Sequence, residues 1–296
     1  MLGGVLLLDA LLAGSCALAW TWPISIALLT AAAGLLITPH LFVIVSLIVA
    51  WISGRGTDNR ALRPADWLSA GLTEPVQFCR ALAAMMTVRR RLWAGFEQPN
   101  AGCPSPPVLL IHGIACNHGV WRGWFEPLRA AGFSCVRAID LEPIFADIDR
   151  HAADVALELR NMQCRSSGAR VAIIAHSMGG LVARAALRIT GPGVISSIVT
   201  IGSPHHGTAW ARLAPFQPTR QMRPGSSWLQ VLNSSQEGSW QAPMTSIYSM
   251  QDEFIVPPRS AMTAGAQNHE LHGLGHLGII ASPECIKLTL AALGRT

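Results

Sequence analysis

The chain is poor in charge. Of its 296 residues 13% are Asp, Glu, Lys or Arg, while half are hydrophobic. That composition excludes a disordered chain and a coiled coil. Lysine is nearly absent, since Lys287 stands alone and every other basic residue is arginine. No stripe of basic and aromatic side chains recurs through the later part of the chain, so the net charge of +5 is not a nucleic-acid footprint. The seven cysteines are odd in number and lack framework spacing, so they read as mostly reduced, small apolar residues. No metal-ligand spacing occurs. The adjacent His205 and His206, in Ser203-Pro-His-His-Gly-Thr208, read as a structural turn rather than a metal site. No metal or cofactor is expected, and there are no internal repeats.

What the chain has in quantity is apolar sequence at its start. Residues 2–20 are interrupted only by Asp9, and residues 24–52 carry no formal charge. About 20 apolar residues cross a bilayer core, so each run is long enough for one crossing. Trp20 and Trp22 flank the junction with Pro23, as suits an interfacial loop. No basic residue precedes the first run and a second run follows it, which argues against a cleaved signal peptide. Residues 1–54 are therefore expected to form a membrane anchor, most simply a two-helix hairpin. The excess positive charge follows directly: Arg55, Arg60, Arg63, Arg80, Arg89, Arg90 and Arg91 against Asp58, Asp66 and Glu74. By the positive-inside rule this keeps the remainder in the cytoplasm, next to an inner membrane. Residues 55–104 read as a basic amphipathic linker, with Leu68, Leu72, Val76, Leu82, Met86 and Trp93 at loosely helical spacing. Such a segment either packs on the following domain or lies on anionic lipid. The Pro- and Gly-rich stretch 98–107 ends it.

From 105 to 296 strands and helices alternate. Strands are expected at Val108–Ile111, 133–139, 170–175, 194–201 and Met244–Ser249, and helices at 121–131, 148–163, 178–189 and 283–293. Continuous apolar strands alternating with helices mean an α/β fold, a mostly parallel sheet covered on both faces. Ala175-His-Ser177-Met-Gly-Gly180 joins a strand to a helix. A serine thrust out of so tight a turn needs very small neighbours, and Ala175, Gly179 and Gly180 supply them. Serine also needs a base, and the base needs an orienting group. Elbows of this kind take these in the order serine, acid, histidine. Asp252 follows the end of an apolar strand, with Glu253 as the alternative. His276 lies in Gly273-Leu-Gly-His-Leu-Gly278, with His272 as its competitor. Acyl transfer further needs N–H donors for the developing oxyanion. Met178, just after the serine, and Ile114, after the strand end His112-Gly113, are the candidates. His112 is expected to fix its loop rather than act in catalysis.

These motifs resemble small bacterial lipases and esterases of the α/β-hydrolase superfamily: HGI at 112–114, AHSMGG at 175–180, GSPHHG at 202–207, SMQDEFIVP at 249–257 and GLGHLGII at 273–280. The resemblance spans about residues 105–295 and leaves out the N-terminal hundred. It implies an α/β-hydrolase fold with Ser177 as nucleophile, His276 as general base and acid, Asp252 as its orienter, and Ile114 and Met178 as the oxyanion hole. Residues 209–243 are long for a connection and rich in Trp, Phe and Leu, as a mobile cap over an acyl pocket would be. Trp121, Trp124, Trp210 and Trp228 are expected to line its mouth. The resulting expectation is a membrane-anchored serine hydrolase of lipid or other esters. Its partners would be ester substrate and membrane lipids, with no nucleic acid. Acyl transfer by the same triad, and a non-catalytic membrane adaptor, are the alternatives.

Overall fold

The computed structural model describes residues 63–87, 106–236 and 240–294, with isolated helical positions between 41 and 52. Its centre is a six-stranded sheet: β1 (Val108–Ile111), β2 (Val136–Ile139), β3 (Val171–His176), β4 (Ile195–Ile201), β5 (Met244–Ser249) and β6 (Gln267–Leu271). The order is β2-β1-β3-β4-β5-β6, and every neighbouring pair is parallel. Ile111 pairs with Ala175, and His176 with Ile201. The carboxyl ends of β1, β3 and β4 therefore finish level at one edge, which is where sheets of this type bind ligands.

Both faces of the sheet are apolar, so both must be covered. Leu109, Ile111, Ile173 and Ala175 pack against α3 (Ile148–Arg165) and α4 (Met178–Thr190) through Val155, Leu159, Leu181 and Leu187. Val108, Leu110, Ile174 and Val199 face the other way. There they meet Trp121 and Trp124 of a 3-10 turn (His118–Trp124), Leu128 of α2 (Phe125–Ala130), Ile279 of α7 (His276–Ala281) and Cys285 of α8 (Pro283–Ala292). Each fully buried Leu or Ile contributes about 1.5–3 kcal/mol of transfer free energy. Between β4 and β5 run a 3-10 turn (Ala209–Arg212), α5 (Gln217–Gln221) and α6 (Ser227–Ser234).

Most boundaries agree with the sequence reading to within two residues. The helix expected at 121–131 is instead a 3-10 turn, opened by the Asn117 side chain accepting from Gly119 N–H, followed by the short α2. β2 starts at Val136 because Phe133 N–H is spent on Leu128 O, closing α2. The helices α5 and α6, the strand β6 and the helix α7 went unforeseen. β6 is a polar edge strand without apolar alternation, and α7 begins at His276 itself, inside the glycine-rich stretch.

Among the described residues no helix is long and apolar enough to cross a membrane. The expected anchor falls almost wholly outside them; at the isolated positions Leu41, Ile44, Val45, Ile48 and Ile52 are exposed. Of the expected linker 55–104, residues 63–87 are described. They contain α1 (Pro64–Thr87), which packs on the sheet domain rather than standing apart. Asn117 Nδ2 donates to Met85 O, and a Cβ on Gly119 would lie 2.7 Å from the α1 backbone. The opposite side of α1 exposes Leu68, Leu72, Val76 and Met86.

Candidate active site

Ser177 sits between β3 and α4 with φ 56° and ψ −130°. A non-glycine residue held there costs on the order of 1–3 kcal/mol, a strain that recurs at catalytic turns. The neighbouring glycines make the turn possible. A Cβ on Gly179 would lie 2.6 Å from the carbonyl oxygens of Ile111 and His112, and one on Gly180 2.7 Å from Ser203 Cβ. Gly113 approaches from β1, where a Cβ would lie 2.7 Å from Ser177 Cβ. Ser177 N–H donates to Ile201 O at 2.9 Å, and α4 has no side-chain cap. The N–H of Met178 is thus left facing the serine end of the helix, whose dipole is positive there.

The histidine and acid arrive from two other strand ends. His276 Nδ1 lies 2.9 Å from Asp252 Oδ2 and 3.1 Å from Oδ1. Asp252 Oδ1 also accepts the N–H groups of Phe254 and Ile255, each at 2.9 Å, so the carboxylate is fixed in its loop. Both side chains are buried. Burial acts to lower the His276 pKa, but the charges of Asp252 and Glu74 outweigh it and raise the value above the ordinary imidazole range. Gly202 leaves the space: a Cβ there would lie 3.1 Å from Asp252 Oδ2 and 3.4 Å from His276 Nδ1.

The two alternatives are placed elsewhere. Glu253 does not reach the imidazole; its Oε2 accepts the His276 backbone N–H at 2.9 Å. His272, exposed, pairs with Glu270 at 3.2 Å and lies toward Asp66. His112 fixes its loop. Its Nε2 accepts from Leu141 N–H at 3.0 Å, so Nδ1 carries the hydrogen and donates to Gly113 O at 2.8 Å. Burial pushes its pKa down to about 4, and the ring is neutral. His205 is likewise structural, held between Arg184 and Thr200. Among the described residues no group of His, Cys, Asp and Glu is arranged to hold a metal ion.

Ser177, His276, Gly113 and Ile114 open into one cavity of about 310 Å³. Its other walls are almost wholly apolar. Phe78, Ala81 and Met85 come from α1, and Trp210, Ala211, Leu213, Ala214, Thr219 and Met222 from the 209–236 excursion. Phe145, Phe254, Ile255 and Leu277 add to them. Phe145 and Phe216 stack with ring centroids 4.1 Å apart at one side.

Of the four tryptophans expected at the mouth, only Trp210 lines the cavity, with its Nε1 donating to Glu253 O at 2.7 Å. Trp121 and Trp124 do not. They are fully buried on the α7–α8 side of the sheet, edge to face at 5.4 Å, and Trp124 Nε1 donates to Ile280 O. The 3-10 turn directs them inward, where large rings fill the core. Trp228 is half-buried against the core and hydrogen-bonds Asp149. The α1 residues were missed as cavity wall. Phe78, Ala81 and Met85 follow 3–4 spacing, but an apolar helical face gives no hint of what it covers.

Residues 152–256 match the family described as a PGAP1-like alpha/beta domain. The chain is 28% identical over 111 residues to a pimeloyl-(acyl-carrier protein) methyl ester esterase of Vibrio parahaemolyticus. It is 31% identical over 125 residues to a triacylglycerol lipase of Pseudomonas fragi. Each match covers 38% of this chain and 40% of the relative, so the chain spans about two fifths of the curated relatives it matches. Among solved structures it is similar to Aspergillus fumigatus lipase B (TM-score 0.60, 22% identity, 70% of this chain and 58% of that one). It is also similar to a mature Bacillus licheniformis lipase (TM-score 0.57, 17% identity, 67% and 96%). Sheet order, serine turn and these likenesses agree: the chain has the α/β-hydrolase fold and is lipase- and esterase-like.

Proposed function

We propose that this protein is a membrane-anchored serine hydrolase that cleaves carboxylic esters of lipids through an acyl-serine intermediate. One observation carries the reading: a strained serine and an Asp-paired histidine open together into an apolar cavity. His276 takes the Ser177 proton as the oxygen attacks the ester carbonyl. Charge gathering on the carbonyl oxygen is met by the N–H groups of Ile114 and Met178, where one donor is typically worth about 3 kcal/mol of barrier. The alcohol leaves with the proton from His276. Water activated by the same ring then frees the acid, while Asp252 orients the ring throughout. No cofactor enters.

An apolar wall suits an acyl chain better than a polar substrate, and the similar curated proteins are named for a methyl ester and for triacylglycerol. The membrane reading rests on the uncharged runs 2–20 and 24–52 and the arginines that follow them. These favour an inner-membrane anchor with the catalytic domain in the cytoplasm. Ser177→Ala should abolish labelling by a fluorophosphonate probe and lower ester turnover by about 10⁴-fold or more. Retained labelling or turnover in the folded variant would overturn the proposal. Fractionation with and without residues 1–54 tests the anchor, and a protein that stays soluble with them present would remove that part.

A further inference from the structure

Glu74, on α1, is fully buried and has no part in the acyl-transfer steps above. Its Oε1 accepts the Leu277 N–H at 2.6 Å and its Oε2 the Gly278 N–H at 2.8 Å. Glu253 Oε2 takes the His276 N–H. The first three N–H groups of α7, which have no partner inside a helix, thus all end on carboxyl oxygens, and those oxygens come from two distant parts of the chain. The glycines around His276 admit Glu74. A Cβ on Gly275 would lie 2.5 Å from Glu74 Cδ, and one on Gly278 3.0 Å from its Oε2. The spacing Gly-His-Leu-Gly is thereby explained by a residue some 200 positions earlier.

The two carboxyl groups take consecutive N–H groups of one helical turn and so lie side by side. Two carboxylates cannot both stay ionised at such range away from water, so one proton is shared. Glu253 Oε1 is buried and finds no donor among the described residues, as suits an oxygen that carries the proton. Glu74 receives two N–H groups at a helix N-terminus, where a negative charge is favoured. Glu253 lies beside Asp252, whose charge disfavours its ionisation. Burial raises the pKa of both groups, Glu74 against the pull of its two N–H bonds, and Glu253 well up with the charges of Glu74 and Asp252 added, so the proton belongs to the pair and falls mainly to Glu253.

We infer that Glu74 is a positioning residue for His276: a carboxylate from the N-terminal helix that caps α7, holds a shared proton with Glu253, and keeps the imidazole in place with a negative charge behind it. The inference rests on the hydrolase reading of His276. The titratable groups facing His276 are Asp252 at Nδ1, Glu253 and Glu74 behind its backbone, and His176, whose ring centroid lies 4.6 Å away and which burial keeps neutral.

The test uses the full chain, p-nitrophenyl butyrate as a soluble ester, and the NMR titration of the His276 ring. E74Q should lower kcat by about tenfold or more, the scale of a small displacement of a catalytic group, with KM nearly unchanged. It should also move the His276 titration and the acid limb of the rate profile to lower pH, because a charge favouring imidazolium is gone. E253Q, whose amide keeps an acceptor for His276 N–H and a donor toward Glu74, should lose several-fold less than E74Q. G275A, which expels Glu74 without altering it, should reproduce the kcat loss of E74Q. A folded E74Q with wild-type kcat and wild-type His276 titration would overturn the inference, as would losses in E74Q and E253Q of equal size. If E74Q does not fold, G275A replaces it, and wild-type kcat and titration in folded G275A would overturn the inference in the same way. The His276 titration needs no turnover, so a protein that hydrolyses no ester refutes the hydrolase reading while the ring still reports on Glu74.

Discussion

Two walls of the cavity grip the catalytic loops, and they do so in different ways. The 209–236 excursion holds the acid's loop. Trp210 Nε1 donates to Glu253 O and Ala209 N–H to Val256 O, and just before it Thr208 Oγ1 donates to Phe254 O. Helix α1 holds the histidine's helix, through Glu74 on the N–H groups of Leu277 and Gly278. The first wall is neutral, built of ordinary hydrogen bonds to backbone carbonyls worth about 1 kcal/mol each. The second is a buried carboxyl group whose capping bonds are charge-assisted and stronger. The comparison teaches that a helix read as a linker is as much a part of the site as the insertion read as a cap.

The largest effect expected from breaking one wall is on stability. Arg184 of α4 anchors the excursion, reaching Gln236, Asn233 and His205 and stacking over Trp240 at 5.0 Å. Arg184→Ala should cost about 3 kcal/mol, measured by urea unfolding; a midpoint within error of wild type would show that the excursion is held otherwise. Next, Ala81→Trp and Ala214→Trp fill the cavity from opposite walls. Each should lower kcat/KM for long-chain esters about tenfold more than for acetate esters. If only one does, the acyl chain lies along that wall alone.

A pH effect should follow. Catalysis needs neutral His276, and its raised pKa means that protonation begins at higher pH than for an ordinary imidazole. The acid limb of kcat/KM should therefore lie above about pH 6.5, the ordinary histidine value; a limb below that value would show that the carboxyl groups do not act on the ring. Smallest of all, Trp124→Phe removes the bond to Ile280 O and should cost about 1 kcal/mol without altering chain-length selectivity. A change in selectivity would return Trp124 to the substrate site.

The elbow was legible because its requirement is local: a serine with φ 56° tolerates only small neighbours, and such neighbours are adjacent in sequence. The pairing of Asp252 with His276 was legible by order, but their competitors were not dismissed by it. Asp252 and Glu253 are consecutive carboxyls, and only the direction each takes off the loop decides which meets Nδ1 and which meets a backbone N–H. The tryptophans misled because sequence proximity to the His-Gly loop says nothing of which side of the sheet a 3-10 turn aims them.

The residues by themselves determined the alternation of apolar strands with helices, the tight serine turn and the candidates for the triad, since each depends on side-chain size or periodicity over a few neighbours. Only the tertiary structure decided that α1 closes the cavity and that Glu74 lies against Gly275. That contact joins positions some 200 residues apart, and its signature in the chain is a glycine, whose meaning is the space it leaves for something else.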